Sequence, residues 1–173
     1  GFNYRLPANQ TGIVTLEYKV KSDSQGAFLA AAYVYSEDKK TSFTGGIDEK
    51  GFFSSRVGDA NVAKDAYNYG DWATFTIVLD HNTKIYKFYA NQILQNTASF
   101  RAGAPNLSYA KFYTSKADTS FLIDDIQVYT QEPEWVKTAQ TSEVNIEPTA
   151  TKAPNATVIY QNTFDTLDGL ELS

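Results

Sequence analysis

The segment Val14-Thr-Leu-Glu-Tyr-Lys-Val20 alternates without a break: Val14, Leu16, Tyr18 and Val20 point one way, Thr15, Glu17 and Lys19 the other. Successive side chains leave a strand on opposite faces, so this period of two predicts a β-strand with one face on a core and one in water. The pattern recurs along the chain. Trp72-Ala-Thr-Phe-Thr-Ile-Val-Leu79 places Phe75, Ile77 and Leu79 together, Asp80-His-Asn-Thr83 turns the chain, and Lys84-Ile-Tyr-Lys-Phe-Tyr-Ala90 returns as a hairpin. Tyr86 and Phe88 are expected in the core, across from Phe75 and Ile77. Further strands are predicted over Phe28 to Ser36, Thr41 to Ile47, Phe52 to Val57, Ile93-Leu94, Lys111 to Thr114 and Phe121 to Tyr129, with Asp48-Glu-Lys-Gly51 closing one hairpin. No stretch sustains a 3.6-residue apolar period, so little or no helix is predicted. The fold class is all-β: an antiparallel β-sandwich, or jelly roll.

Composition narrows the function classes. The chain has 173 residues, 42% of them apolar, enough for one sizeable core. It carries 12 Tyr, 11 Phe and 2 Trp, the aromatic load that suits pleated, half-buried surfaces. Cys is absent, which removes disulfides, thiolate metal sites and a cysteine nucleophile. A net charge of −5 with scattered basic residues argues against a nucleic-acid partner and against anionic membrane surfaces. No apolar run approaches the roughly 20 residues of a membrane-spanning helix, so membrane insertion is not expected. Lacking Met and starting at Gly1, the chain is expected to be a processed or excised segment.

The pattern divides the chain into a β-rich body at 1–130, a Pro/Thr-rich linker at 131–157, and a strand-like tail at 158–173. The linker, with Glu132-Pro-Glu and Glu147-Pro-Thr-Ala-Thr-Lys-Ala-Pro154, is of the extended kind that joins modules. The tail is expected to complete the body by adding a strand, either to its own domain or to a neighbour's; the second case would give a strand-exchanged dimer.

The runs Gly70 to Asp80, Lys84 to Asn91 and Phe121-Leu-Ile-Asp-Asp-Ile-Gln-Val-Tyr129 resemble those of laminin-G/concanavalin-like jelly rolls. Such domains occur as carbohydrate-binding modules in bacterial polysaccharide-degrading enzymes. The resemblance covers about residues 3–130 and 158–172. Phe121 to Tyr129 is similar to a closing strand and Phe164-Asp-Thr-Leu-Asp-Gly-Leu-Glu-Leu172 to an opening one, so the opener comes last. That order implies a circular permutation, or a cut across a repeat boundary. The resemblance also implies a structural Ca²⁺ between first and last strands, held by Asp124, Asp125 and Asp165. Ca²⁺ wants six to eight oxygens, so backbone carbonyls and another acid would have to join them. The plainer reading leaves Asp124 in solvent and Asp125 capping a loop.

Sugars are bound by flat aromatic faces, with polar and charged groups taking their hydroxyls. Candidate ligand residues are Tyr33 and Tyr35, at i and i+2 on one strand, with Tyr113, which is spaced from Tyr109. Core or rim positions are the competing reading for the first pair. Tyr67 and Tyr69 sit in a polar loop and are expected to be exposed, and Trp72 serves as either a strand-edge anchor or a stacking platform. Arg56 suits hydroxyl or uronate contacts, with a surface salt bridge as its alternative. Trp135 is read as an anchor of the linker on a sheet. His81, in a turn, is expected in solvent, and no pair of acids stands out for glycoside hydrolysis.

These readings converge on a non-catalytic carbohydrate-binding module of a secreted or cell-surface, multimodular protein, with polysaccharide and neighbouring modules as partners. The alternatives are a structural or adhesive spacer repeat without a sugar site, and a jelly-roll polysaccharide lyase or glycoside hydrolase.

Overall fold

The computed structural model describes residues 1–139, 158–162 and 170–172. It is a two-layer antiparallel sandwich. One sheet has seven strands. In spatial order they are β13 (Leu170–Leu172), β1 (Phe2–Gln10), β10 (Leu107–Tyr113), β3 (Leu29–Tyr35), β4 (Thr41–Ile47), β5 (Phe52–Val57) and β6 (Ala60–Ala66). The other has six: β12 (Val158–Asn162), β11 (Leu122–Tyr129), β2 (Ile13–Lys21), β7 (Ala73–Asp80), β8 (Ile85–Ala90) and β9 (Ile93–Ser99).

Alternation builds the core. Tyr18, Phe75, Tyr86 and Phe88 from the six-stranded sheet meet Phe43, Phe53 and Phe112 from the seven-stranded one, all 5% exposed or less. The rings meet largely edge to face, as with Phe75–Phe88 at 5.2 Å and Phe43–Tyr86 at 5.1 Å, an arrangement that adds quadrupole attraction to area burial. Register agrees with the hairpin read from sequence: Ile77 pairs with Phe88 and Leu79 with Tyr86.

Two strands escaped the pattern. β1 contains Pro7 and a bulge, which obscure its alternation, and β6 is Ala-rich and exposed, so pairing with β5 rather than propensity holds it. A helix also appears where extended linker was expected: α1, Glu134–Ala139, follows Pro133 with an acid in its first turn and Lys137 in its last. Val136 packs on Val78 and Tyr89, and Trp135 meets Tyr89 edge-on at 5.1 Å. The linker's first turn is thus pinned to the outer face of the six-stranded sheet. This corrects the expectation for β2 in part: Lys19 still reaches water, but Thr15 and Glu17 are buried, Thr15 donating to the Gln131 carbonyl and Glu17 accepting from Thr76 at 2.8 Å.

The two tail strands pair antiparallel with an edge strand of each sheet, on the same side of the sandwich. β12 extends β11, with Val128 opposite Tyr160, and β13 extends β1, with Asn3 opposite Glu171. Among the described residues no helix is long and apolar enough to cross a membrane.

Candidate functional site

On β3, Ala32 and Val34 enter the core, so Tyr33 and Tyr35 stand on the outer face of the seven-stranded sheet. On β10 the same parity sends Ala110 and Phe112 inward and Tyr109, Lys111 and Tyr113 outward. Register then places Tyr35 beside Tyr109 and Tyr33 beside Lys111. The rings form a ladder. Tyr35 and Tyr109 stack at 4.9 Å, Tyr33 and Tyr35 at 6.0 Å, and Tyr33 leans on Tyr113 at 5.5 Å. Arg5 of β1 caps the far end, its guanidinium 4.8 Å from the centre of the Tyr109 ring. Because the rings turn much of their faces toward each other, the ladder offers edges and phenolic oxygens rather than the open faces expected from sequence.

Beyond the tyrosines the face drops to small residues. Thr44 pairs with Tyr33, Gly46 with Ser54, and Ser54 with Ala63. Gly46 is required here: a Cβ would lie 2.7 Å from the Leu29 carbonyl, where β3 bulges at Ala30 (φ 47°). The result is a trough of about 550 Å³ whose lining includes Phe28, Asp48, Phe52, Arg56, Asn61 and Lys64. Arg56 pairs with Asn61 across β5 and β6, and projects from the same face of β5 as Ser54. Within the sheet, the hydroxyls of Thr44 (2% exposed) and Ser54 (0% exposed) are buried and have no hydrogen-bond partner. Buried hydroxyls without partners are costly, and they are satisfied when a ligand or water reaches them.

A phenol hydroxyl both donates and accepts hydrogen bonds. Burial, then the hydrogen bond with Tyr33, holds the Tyr113 phenol well above the usual tyrosine range, and burial followed by the neighbouring Tyr109 raises Tyr35. Asp48 does not serve as an acid here. Its Oδ1 accepts the amides of Lys50 (2.9 Å) and Phe52 (3.0 Å), closing the β4–β5 turn, while Oδ2 faces Asn61 at 3.4 Å.

Tyr33, Tyr35, Tyr113 and Arg56 therefore share one face. Other candidates lie elsewhere. Tyr67, expected in solvent, is 5% exposed in the core, its hydroxyl engaged with Ser22 and the Asp71 carbonyl; Tyr69 is half-buried edge-on to it. Folding the Tyr67–Asp71 loop back over Ser22 inverts the exposure its polar neighbours suggested. Trp72 is exposed just before β7, a strand of the other sheet. His81 is also buried rather than solvated, with Nδ1 3.0 Å from the Gly12 carbonyl and its ring edge-on to Phe100; burial lowers its pKa. Residues the sequence reading passed over include Arg5, Thr44, Ser54 and Asn61. The β10 parity could have found Tyr109, but the others needed register.

Asp124 and Asp125 sit at a bulge in β11, where Asp125 adopts φ 50°. Lys19 Nζ lies 2.5 Å from Asp125 Oδ2, and Asp124 Oδ1 accepts the Asp125 amide at 2.8 Å. An ammonium already neutralises one carboxylate, and among the described residues no group of three or more potential ligands gathers. These residues alone do not fit Ca²⁺, which needs more oxygens. Asp165 lies outside the described residues.

No family model matches the chain, and no curated protein matches it. Solved structures do. A sialidase superposes with TM-score 0.57 at 11% identity, covering 99% of this chain and 14% of its own. The heptameric SAP-like pentraxin from Limulus polyphemus gives 0.55 at 11% identity, covering 99% and 89%. The binding domain of botulinum neurotoxin DC, solved in complex with SialylT, gives 0.50 at 14% identity, covering 78% and 37%. The chain is a jelly-roll β-sandwich. It spans 14% of the sialidase's length, and at such identities the likeness carries the fold alone.

Proposed function

We propose that the chain is a non-catalytic carbohydrate-binding module, part of a larger secreted or cell-surface protein, that takes a polysaccharide along the trough of the seven-stranded sheet. One observation carries the reading: a tyrosine ladder and a guanidinium share the outer face of one sheet, where the guanidinium lines a trough with polar and charged side chains. Neutral phenols and hydroxyls can donate and accept at once, which matches a ligand made of hydroxyl groups. The alternative, a structural spacer, requires no such face and would bury these tyrosines. A neurotoxin domain of the same fold was solved with SialylT, which fits the reading by analogy. Catalysis gains no support from the trough, since Asp48 is spent on a turn and His81 is buried away from it.

The test is affinity electrophoresis through gels carrying xylan, glucans, pectins, mannans and alginate, with Tyr33→Ala as control. Retardation by one class, lost in the variant while melting is kept, is the expected result. Free migration through every gel leaves the spacer reading.

A further inference from the structure

Resting on that reading of the trough, we propose that it selects glycans carrying a carboxylate, and that Arg56 is the group that recognises it. Arg56 is half-buried in the trough wall, and no carboxylate lies within ion-pair distance of it among the described residues. Asp48 lines the same trough, yet its oxygens are turned to the Lys50 and Phe52 amides and to Asn61. The protein thus holds an acid close to the guanidinium without pairing the two.

A guanidinium that is half-desolvated and lacks a counterion is a fork of donors awaiting a planar acceptor, and a carboxylate fits it bidentately. The surroundings supply the rest of a sugar acid's needs. Lys50 and Lys64 line the same trough and offset Asp48 and Glu49, leaving Arg56 as its excess charge, although Lys64 Nζ is tied to the Leu94 carbonyl at 2.6 Å. Asn61 lines the trough opposite Arg56 on the neighbouring strand, and the phenols of Tyr33 and Tyr113 stand on the same outer face of the sheet. A ring carboxylate on Arg56 leaves the ring hydroxyls to the polar side chains of this face. A neutral sugar would leave the guanidinium without its partner, and that is the source of the preference.

The experiment pairs each acidic polymer with its neutralised form: polygalacturonate, alginate and glucuronoxylan against the same polymers after carboxyl esterification or reduction. Affinities are measured by calorimetry for the whole chain. A charge-assisted bidentate contact is worth roughly tenfold or more, so at least one acidic polymer should bind that much more tightly than its neutral counterpart. Arg56→Gln should erase the difference, and Arg56→Lys should restore part of it, which guards against a folding artefact. Lys39→Gln removes one positive charge from an exposed loop and should leave the preference unchanged, which excludes bulk charge. Equal affinity for acidic and neutralised polymers overturns this proposal but leaves the carbohydrate-binding reading intact. Binding to none of them, or to any other glycan, overturns both.

Discussion

The Tyr113 hydroxyl donates to that of Tyr33 across 3.3 Å, joining β10 and β3 over the outer face of their sheet. The two residues are 80 positions apart in the chain. Strand register brings them together, and the shared hydrogen bond sets the spacing of the ladder's end. Replacing Tyr113 by Phe removes the donor while keeping ring packing against Tyr33. Because this pair stands on the same outer face as Arg56, Tyr113→Phe and Tyr33→Phe should each weaken glycan binding a few-fold, with melting nearly unchanged. Calorimetry alongside thermal melts measures both; a large melting loss would assign the pair a structural role only.

Glu17 makes stability depend on pH. Burial raises its pKa above 4.5, opposed by hydrogen bonds from Thr76 and Tyr129. A carboxyl with a raised folded pKa takes up a proton more readily in the fold than in the unfolded chain. Its contribution is therefore full below the unfolded value and is lost as pH rises through the folded one. Glu17→Gln, permanently neutral, should flatten the melting profile across that window and match or exceed wild type at pH 7. Unchanged pH dependence in the variant would show that other groups set it.

Tyr18 is fully buried, and its hydroxyl has no hydrogen-bond partner. A buried orphan costs about 1–3 kcal/mol, so deleting it should help. Tyr18→Phe keeps the edge-on contacts with Phe75 and Phe112, at 5.6 and 5.0 Å, and is expected to stabilise by about 1 kcal/mol in urea melts. Destabilisation would mean that water reaches the hydroxyl.

Deleting everything after Ala139 removes β12 and β13 while keeping α1. That exposes unpaired edges on β11 and β1, and exposed edges promote aggregation. The truncated chain should melt several degrees lower and scatter light on standing. Sedimentation of the full chain tells whether the tail serves its own body or a second copy's, since exchange would make a dimer that dissociates on dilution.

Calcium gives a clear contrast. An ion at a hundred times its Kd would add about 2.7 kcal/mol, a shift of several degrees. With Lys19 already on Asp125, melting in chelator should equal melting in calcium. A drop in chelator would show that Asp165 and further oxygens complete a site with Asp124 and Asp125.

Period-two alternation was enough to determine that this chain is an antiparallel all-β body, with Phe75, Tyr86 and Phe88 in its core, because side-chain parity on a strand is a local property. The same parity made Tyr33 and Tyr35 candidates for an outer face. Parity does not say which strands are neighbours, so the outer face that Tyr33, Tyr113 and Arg56 share was decided only by tertiary register between strands. Nor does it say what covers a face. The polar side of β2 became buried once Trp135 and Val136 docked on its sheet, and Tyr67 entered the core when its loop folded over Ser22. Burial of a polar side chain depends on distant segments, and those contacts exist only in the folded chain.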